Sequence, residues 1–131
     1  MWYEKVELGI FSLFINNNEC LERKKKCHIF FDQIGDSSAY EMIKGETPMY
    51  GVSLLEAASF GSVCMSHANF PNTPLIHVKN AHDIYNAILD LVNNPEKLKA
   101  LCSATREWVV REHGYESVAK RFIKSIEAGM K

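Results

Sequence analysis

The segment "YGVSLLEAASFG", residues 50–61, sets a glycine, a serine and a glutamate where a helix should begin. A tight turn at Gly51 would deliver the chain into that helix, whose first-turn amides have no partners within it. Outward-pointing amides at the positive end of a helix dipole suit an anion such as a diphosphate, which makes Gly51, Val52 and Ser53 candidates for that contact. Glu56 would be repelled by phosphate, but its carboxylate can accept hydrogen bonds from both hydroxyls of a neighbouring ribose. The same residues also have a purely structural use. Ser53 and Glu56 stand in the S-x-x-E relation of a capping box, in which hydroxyl and carboxylate each satisfy the other residue's amide. Leu54, Leu55, Ala58 and Phe60 would then face inward and Gly61 would stop the helix. Spacing alone admits both uses.

Other chemistries lack an anchor. His28, His67, His77, His82 and His113 are scattered, no serine or cysteine stands in a triad context, and no catalytic residue can be assigned. Cys20, Cys27, Cys64 and Cys102 form no C-x-x-C pair, so neither a metal site nor a disulfide framework is expected. Reduced, mostly buried thiols and a cytoplasmic location are the expectation. Asp32 ends a strand-like run, but the acidic pair before it and the lysine after it that a phosphoacceptor aspartate would need are missing, so it is expected to pin a loop. The net charge of -1 gives no field for nucleic acid, and Arg23, Lys24, Lys25 and Lys26 have no aromatic residues between them. These four cations are expected to form the solvated last turn of a helix, where they complement its dipole.

The 131 residues, 47% apolar and 24% charged, suit one folded domain over residues 1–131. The runs "IFSLFI" (residues 10–15) and "HIFFDQI" (residues 28–34) lack a polar face, as parallel strands covered on both sides do. Between them "ECLERKKK" predicts a short helix capped by Asn18, completing a β-α-β unit. Residues 8–15 are too short to span a bilayer, and no transmembrane segment is expected. Residues 35–48 form a long loop, either a lid or an insertion, in which Asp36 or Ser37 could cap a single helical turn that Gly45 stops. A strand at residues 63–65, a polar loop and "LIHV" (residues 75–78) follow.

The remainder reads as helical. Ile84, Ala87, Ile88, Leu91 and Val92 recur at helical spacing behind a capping-box-like start at Asn80 and Asp83. Asn94 and Pro95 open a helix with Leu98, Leu101, Cys102, Thr105 and Val109 on its inner face. Gly114 gives a left-handed stop, and a last helix near residues 116–127 buries Val118, Phe122, Ile123 and Ile126; the alternative for that stripe is a docking face for a partner or a membrane. The expected architecture is a three-layer α/β sandwich with a mostly parallel sheet and a helical C-terminal tail.

The order "YGVSLLEAASFGSVCM", a proline-bearing loop, a short strand and "AHDIYNAILDLVNNPEKLKALCSATREWVVREHGYESVAKRFIKSIE" resembles the C-terminal, donor-binding lobe of retaining GT-B glycosyltransferases over residues 11–128. "CLERKKKCHIFFDQI" is similar to a branch of that family in which an aspartate-glutamine strand end precedes the glycine loop. The resemblance implies a Rossmann-like lobe, in truncated form, of an enzyme that transfers sugar from a nucleotide-sugar such as a UDP-sugar, with no metal or other cofactor. It implies that Glu56, as the second glutamate of the family's E-x7-E motif, holds the donor ribose, and that Gly51, Val52 and Ser53 meet the diphosphate. At the position of the first glutamate, which touches the sugar, this sequence has Pro48, with Glu46 two residues away. The N-terminal acceptor lobe has no counterpart in these residues, so the chain is expected to be inactive alone and to need that lobe or a partner chain. From another class, a non-catalytic Rossmann-like interaction module would use Ser53 and Glu56 as caps only.

Overall fold

The structure, a computed structural model, describes residues 16–32 and 51–130. The predicted strand at residues 10–15, the loop at 35–48, Pro48 and Glu46 lie outside the described residues. Helix α1, Asn17–Lys25, leads into strand β1, Ile29–Phe31. Helix α2, Val52–Ser59, precedes strands β2, Val63–Ser66, and β3, Ile76–His77. Three helices complete the chain: α3, Ala81–Asn93, α4, Pro95–His113, and α5, Tyr115–Gly129.

The three strands form a parallel sheet in the order β1-β2-β3, with Phe31 opposite Met65 and Met65 opposite Ile76. Central β2 is buried along its whole length, and the alternation of a strand sends its side chains to opposite faces. Cys64 packs with Leu54, Ala57, Ala58, Trp108 and Val109 on one face, while Val63 and Met65 pack with Val78, Leu91 and Leu98 on the other. Helices therefore cover both faces of a small parallel sheet, as the sequence predicts. Edge strand β1 is less enclosed than predicted, because Phe31 keeps 52% exposure.

Helix α4 reaches both cores. Leu98, Leu101 and Cys102 belong to the α3 side, and Trp108 and Val109 to the α2 side. The Cys102 thiol approaches the carbonyl of His28, just before β1, and the Cys102 carbonyl faces Gly61, just before β2. Helix α4 thus crosses beneath the amino ends of the strands.

Local chemistry accounts for most boundaries. The Asn16 side chain, rather than Asn18, caps α1 by accepting from the Glu19 amide at 2.9 Å. Helix α2 ends in a Schellman motif: Gly61 takes a left-handed φ of 86°, and the amides of Gly61 and Ser62 bond the carbonyls of Ala58 and Ala57. Asn80 caps α3 through the Asp83 amide, and Asp83 reaches back to the Lys79 amide, close to the predicted box.

Two helical expectations are corrected. Gly114 is extended, with φ -61° and ψ 147°, rather than left-handed, and it serves as the N-cap of α5. Its reason for being glycine is contact, since a β-carbon there would strike the Val110 carbonyl. Helix α5 has no buried residue; Val118, Phe122, Ile123 and Ile126 are all exposed. The stripe has helical periodicity but no surface of the described residues covers it. Among the described residues no helix is long and apolar enough to cross a membrane.

Candidate functional site

The carboxyl ends of the strands carry Asp32 after β1, Ser66 and His67 at the end of β2, and His77 at the end of β3. The start of α2 joins this rim. The Asp32 amide bonds the Met65 carbonyl at 3.0 Å, extending the β1–β2 pairing by one residue, and the Asp32 carboxylate lies directly against Gly51. A β-carbon on Gly51 would stand 2.8 Å from Asp32 Oδ2. A side chain at position 51 would therefore have to displace the Asp32 carboxylate, while the φ of -66° is available to any residue. The His67 and His77 rings lie 6.5 Å apart on the same rim.

Gly51 is the N-cap of α2 and offers no side chain to cap it. Its carbonyl accepts from the amides of Leu54 and Leu55, and among the described residues nothing accepts from the amides of Val52 and Ser53. The predicted capping box does not form. The helix starts two residues earlier than that box requires, so Ser53 lies inside the first turn rather than at its head.

Both side chains turn instead to Lys24. Its ammonium donates to Ser53 Oγ at 3.0 Å and to Glu56 Oε2 at 2.5 Å, and it stands 5.9 Å from the centre of the Phe30 ring. Helical side chains lean toward the N-terminus, which brings the Glu56 carboxylate back one turn to the level of Ser53. The pair is lopsided: the Lys24 side chain is 4% exposed and that of Glu56 is 32% exposed. The ammonium is underneath and the carboxylate faces out. Among the described residues no hydrogen bond reaches Glu56 Oε1.

Lys24 is the residue that the sequence reading misplaced. Arg23 pairs with Glu19 and Lys25 with Glu22 at the surface, as solvated cations do, but Lys24 is buried against α2. A signal was available: successive helical residues are about 100° apart, so four cations in a row span about 300° and one of them must face the neighbouring element.

The thiols differ too from expectation. All four cysteines are free, but only Cys64 is buried. Burial, with Asp32 and Cys102 nearby, pushes the Cys64 thiol up to about 12, and burial also raises Cys102. Neither is a nucleophile at neutral pH. A shallow depression of about 580 Å³ along α4, lined by Ser103, Arg106, Glu107, Val110 and Arg111, lies by the C-terminal end of α2, where Arg106 bonds the Ser59 carbonyl. It holds none of the rim residues.

The structure thus brings Gly51, Val52, Ser53 and Glu56 together at one end of α2 and adds Lys24 and Asp32. The arrangement offers two amides that nothing among the described residues accepts from, one anchored and partly exposed carboxylate, and a second carboxylate at the rim. No family model matches the chain, and comparison with curated proteins and with solved structures found no significant match either.

Proposed function

We propose that the chain is the donor-binding, Rossmann-like lobe of a nucleotide-sugar glycosyltransferase of the GT-B type, in which Glu56 accepts from the ribose hydroxyls and the amides of Val52 and Ser53, next to Gly51, receive the diphosphate. The observation that carries this reading is the partly exposed Glu56 carboxylate one turn from amides that no described residue accepts from, at the carboxyl edge of a parallel sheet. That edge is where open α/β sheets bind ligands.

The Asp32 carboxylate against Gly51 shapes the proposal. Its charge opposes a phosphate at the Gly51 end, so the diphosphate would seat toward Val52 and Ser53. The exposed stripe of α5 supplies a face for the acceptor lobe or a partner chain that the activity would require. A cytoplasmic location, reduced thiols, a UDP-sugar or similar substrate and the absence of a cofactor belong to the same proposal. Transfer itself would need the other lobe.

A second reading is favoured by the burial of Lys24. The ion pair can serve solely to lock α1 onto α2 in a non-catalytic interaction module. Ligand-observed NMR of the chain with UDP, GDP, ADP and their sugar conjugates separates the two. Binding of at least one of them, weakened by Glu56→Gln, supports the donor lobe; binding of none supports the module.

A further inference from the structure

Lys24 has no part in the nucleotide reading, yet it is the most enclosed charged side chain at the site, 3% exposed, with its ammonium on Ser53 Oγ and Glu56 Oε2. A lysine stem of that length costs conformational entropy to fix, and its charge costs desolvation, so the arrangement orders whatever it holds. What it holds is one oxygen of a carboxylate whose side chain is about one-third exposed. A glutamate at the surface samples several rotamers, and one tied at Oε2 does not.

Resting on the nucleotide reading, we propose that Lys24 is a positioning residue: it fixes Glu56 through Oε2 so that Oε1 is presented to a ribose hydroxyl, making recognition of the ribose depend on a cation delivered by α1. The centre of the Phe30 ring stands 5.9 Å from the same ammonium, a second contact that helps to hold it in place. Lys24 need not touch the ligand. Its contribution should therefore appear in the recognition of ribose and not in that of phosphate.

The test uses the whole chain and ligand-observed NMR, with the nucleoside diphosphate that binds best among UDP, GDP and ADP, its 2′,3′-dideoxy analogue, and inorganic pyrophosphate. The wild-type chain is expected to prefer the ribose form by about tenfold or more, the scale of a hydrogen bond to an ionised acceptor. In Lys24→Met the preference should fall to about twofold or less while pyrophosphate affinity stays unchanged, and Lys24→Arg should restore part of it. Removal of Lys24 leaves a carboxylate that solvent already reaches, so the variant should fold, as circular dichroism would verify. If it does not, Lys24→Gln carries the same test, with the same expected fall.

Full retention of the ribose preference in a folded Lys24 variant overturns the positioning role and leaves the nucleotide reading standing. Equal losses for the ribose form, the dideoxy form and pyrophosphate would make Lys24 a phosphate contact or a general structural element, which also overturns it. A wild-type chain that binds none of the three nucleotides overturns the nucleotide reading itself, and the inference with it.

Discussion

The Lys24 ammonium sits 2.5 Å from Glu56 Oε2 across the contact between α1 and α2, buried itself but paired with a carboxylate that is one-third exposed. That asymmetry predicts unequal costs for removing the two partners. Glu56→Ala strands a buried charge and should cost about 3 kcal/mol, at the low end for a broken buried pair. Lys24→Met strands only a carboxylate that water can solvate, and should cost about 1 kcal/mol. The double variant Lys24→Met/Glu56→Leu, which leaves no charge behind, should recover most of the loss. Urea unfolding of the four chains measures all of this. Equal costs for the two single variants would mean that the ammonium is not the buried member.

Asp32 offers a test that separates binding from stability. Its carboxylate adjoins Gly51 at the N-terminus of α2, the end proposed to receive a diphosphate. Asp32→Asn keeps the shape and removes the charge, so pyrophosphate and nucleoside diphosphates should bind about fivefold tighter, equivalent to roughly 1 kcal/mol of relieved repulsion. Weaker binding in calorimetry would instead make Asp32 a partner of the ligand, one that accepts from a hydroxyl.

Much of this organisation was legible in the sequence, and the misses share a cause. The run around Phe30 specified a parallel strand because it has no polar face, although β1 is less enclosed than such a run implies. A strand at residues 63–65 was legible too, and the spacing of Ile84, Ile88 and Leu91 fixed the inner face of α3. The segment from Gly51 to Gly61 was correctly read as a helix with a glycine stop, since a left-handed Gly61 is a local requirement. Lys24, Trp108 and the α5 stripe were not legible in the same way. Whether a lysine is solvated or buried, whether Trp108 turns toward the α2 side, and whether Phe122 finds a cover all depend on a neighbouring element, not on local periodicity. Ser53 and Glu56 matched a capping box in pattern, but a cation on the adjacent helix competes for both side chains, and charged hydrogen bonds outweigh neutral ones.

Gly61 and Gly114 should respond to alanine for different reasons. At Gly61 the penalty is conformational, because the φ of 86° is unfavourable for a residue with a β-carbon, and space is ample, the nearest atom lying 3.8 Å away. Gly61→Ala should cost about 1 kcal/mol, and Gly61→Asn less, since asparagine tolerates that region. At Gly114 the backbone angles suit any residue, but the methyl meets the Val110 carbonyl. Gly114→Ala should cost about 2 kcal/mol, Gly114→Asn no less, and the junction of α4 and α5 should shift. Denaturant midpoints of the four variants distinguish strain from collision.

Cys64 is enclosed between α2 and the sheet, and its thiol is pushed up to about 12 by burial first and by the nearby Asp32 charge second. In the folded chain at pH 8 it should resist a thiol reagent such as an aromatic disulfide, while the partly exposed Cys20, within α1, and Cys27, just after it, react first. Cys102, itself raised by partial burial, should follow, denaturant should release Cys64 as the slowest of the four, and the Cys64→Ala chain should lose that slowest thiol. Rapid native labelling of Cys64 would show that α2 opens from the sheet far more readily than its packing implies.

His113, in the last turn of α4, packs edge-on against Trp108 with ring centres 5.3 Å apart. Burial first, and the Arg121 guanidinium second, hold its imidazole below the ordinary value of 6.5, with Glu112 opposing them weakly. Because the folded state binds this proton less readily than the unfolded chain, protonation favours unfolding. The stability associated with neutral His113 is complete above about pH 6.5 and is lost as the pH falls from there through the lower folded-state value. Urea midpoints measured at pH 7.5 and pH 5.5 should therefore fall on acidification, and fall less in His113→Phe, which keeps an aromatic ring against Trp108 but cannot titrate. The other four histidines are common to both chains, so the difference between the two slopes isolates His113. Identical slopes would mean that the imidazole at the α4–α5 junction is solvated well enough to titrate as it does in the unfolded chain.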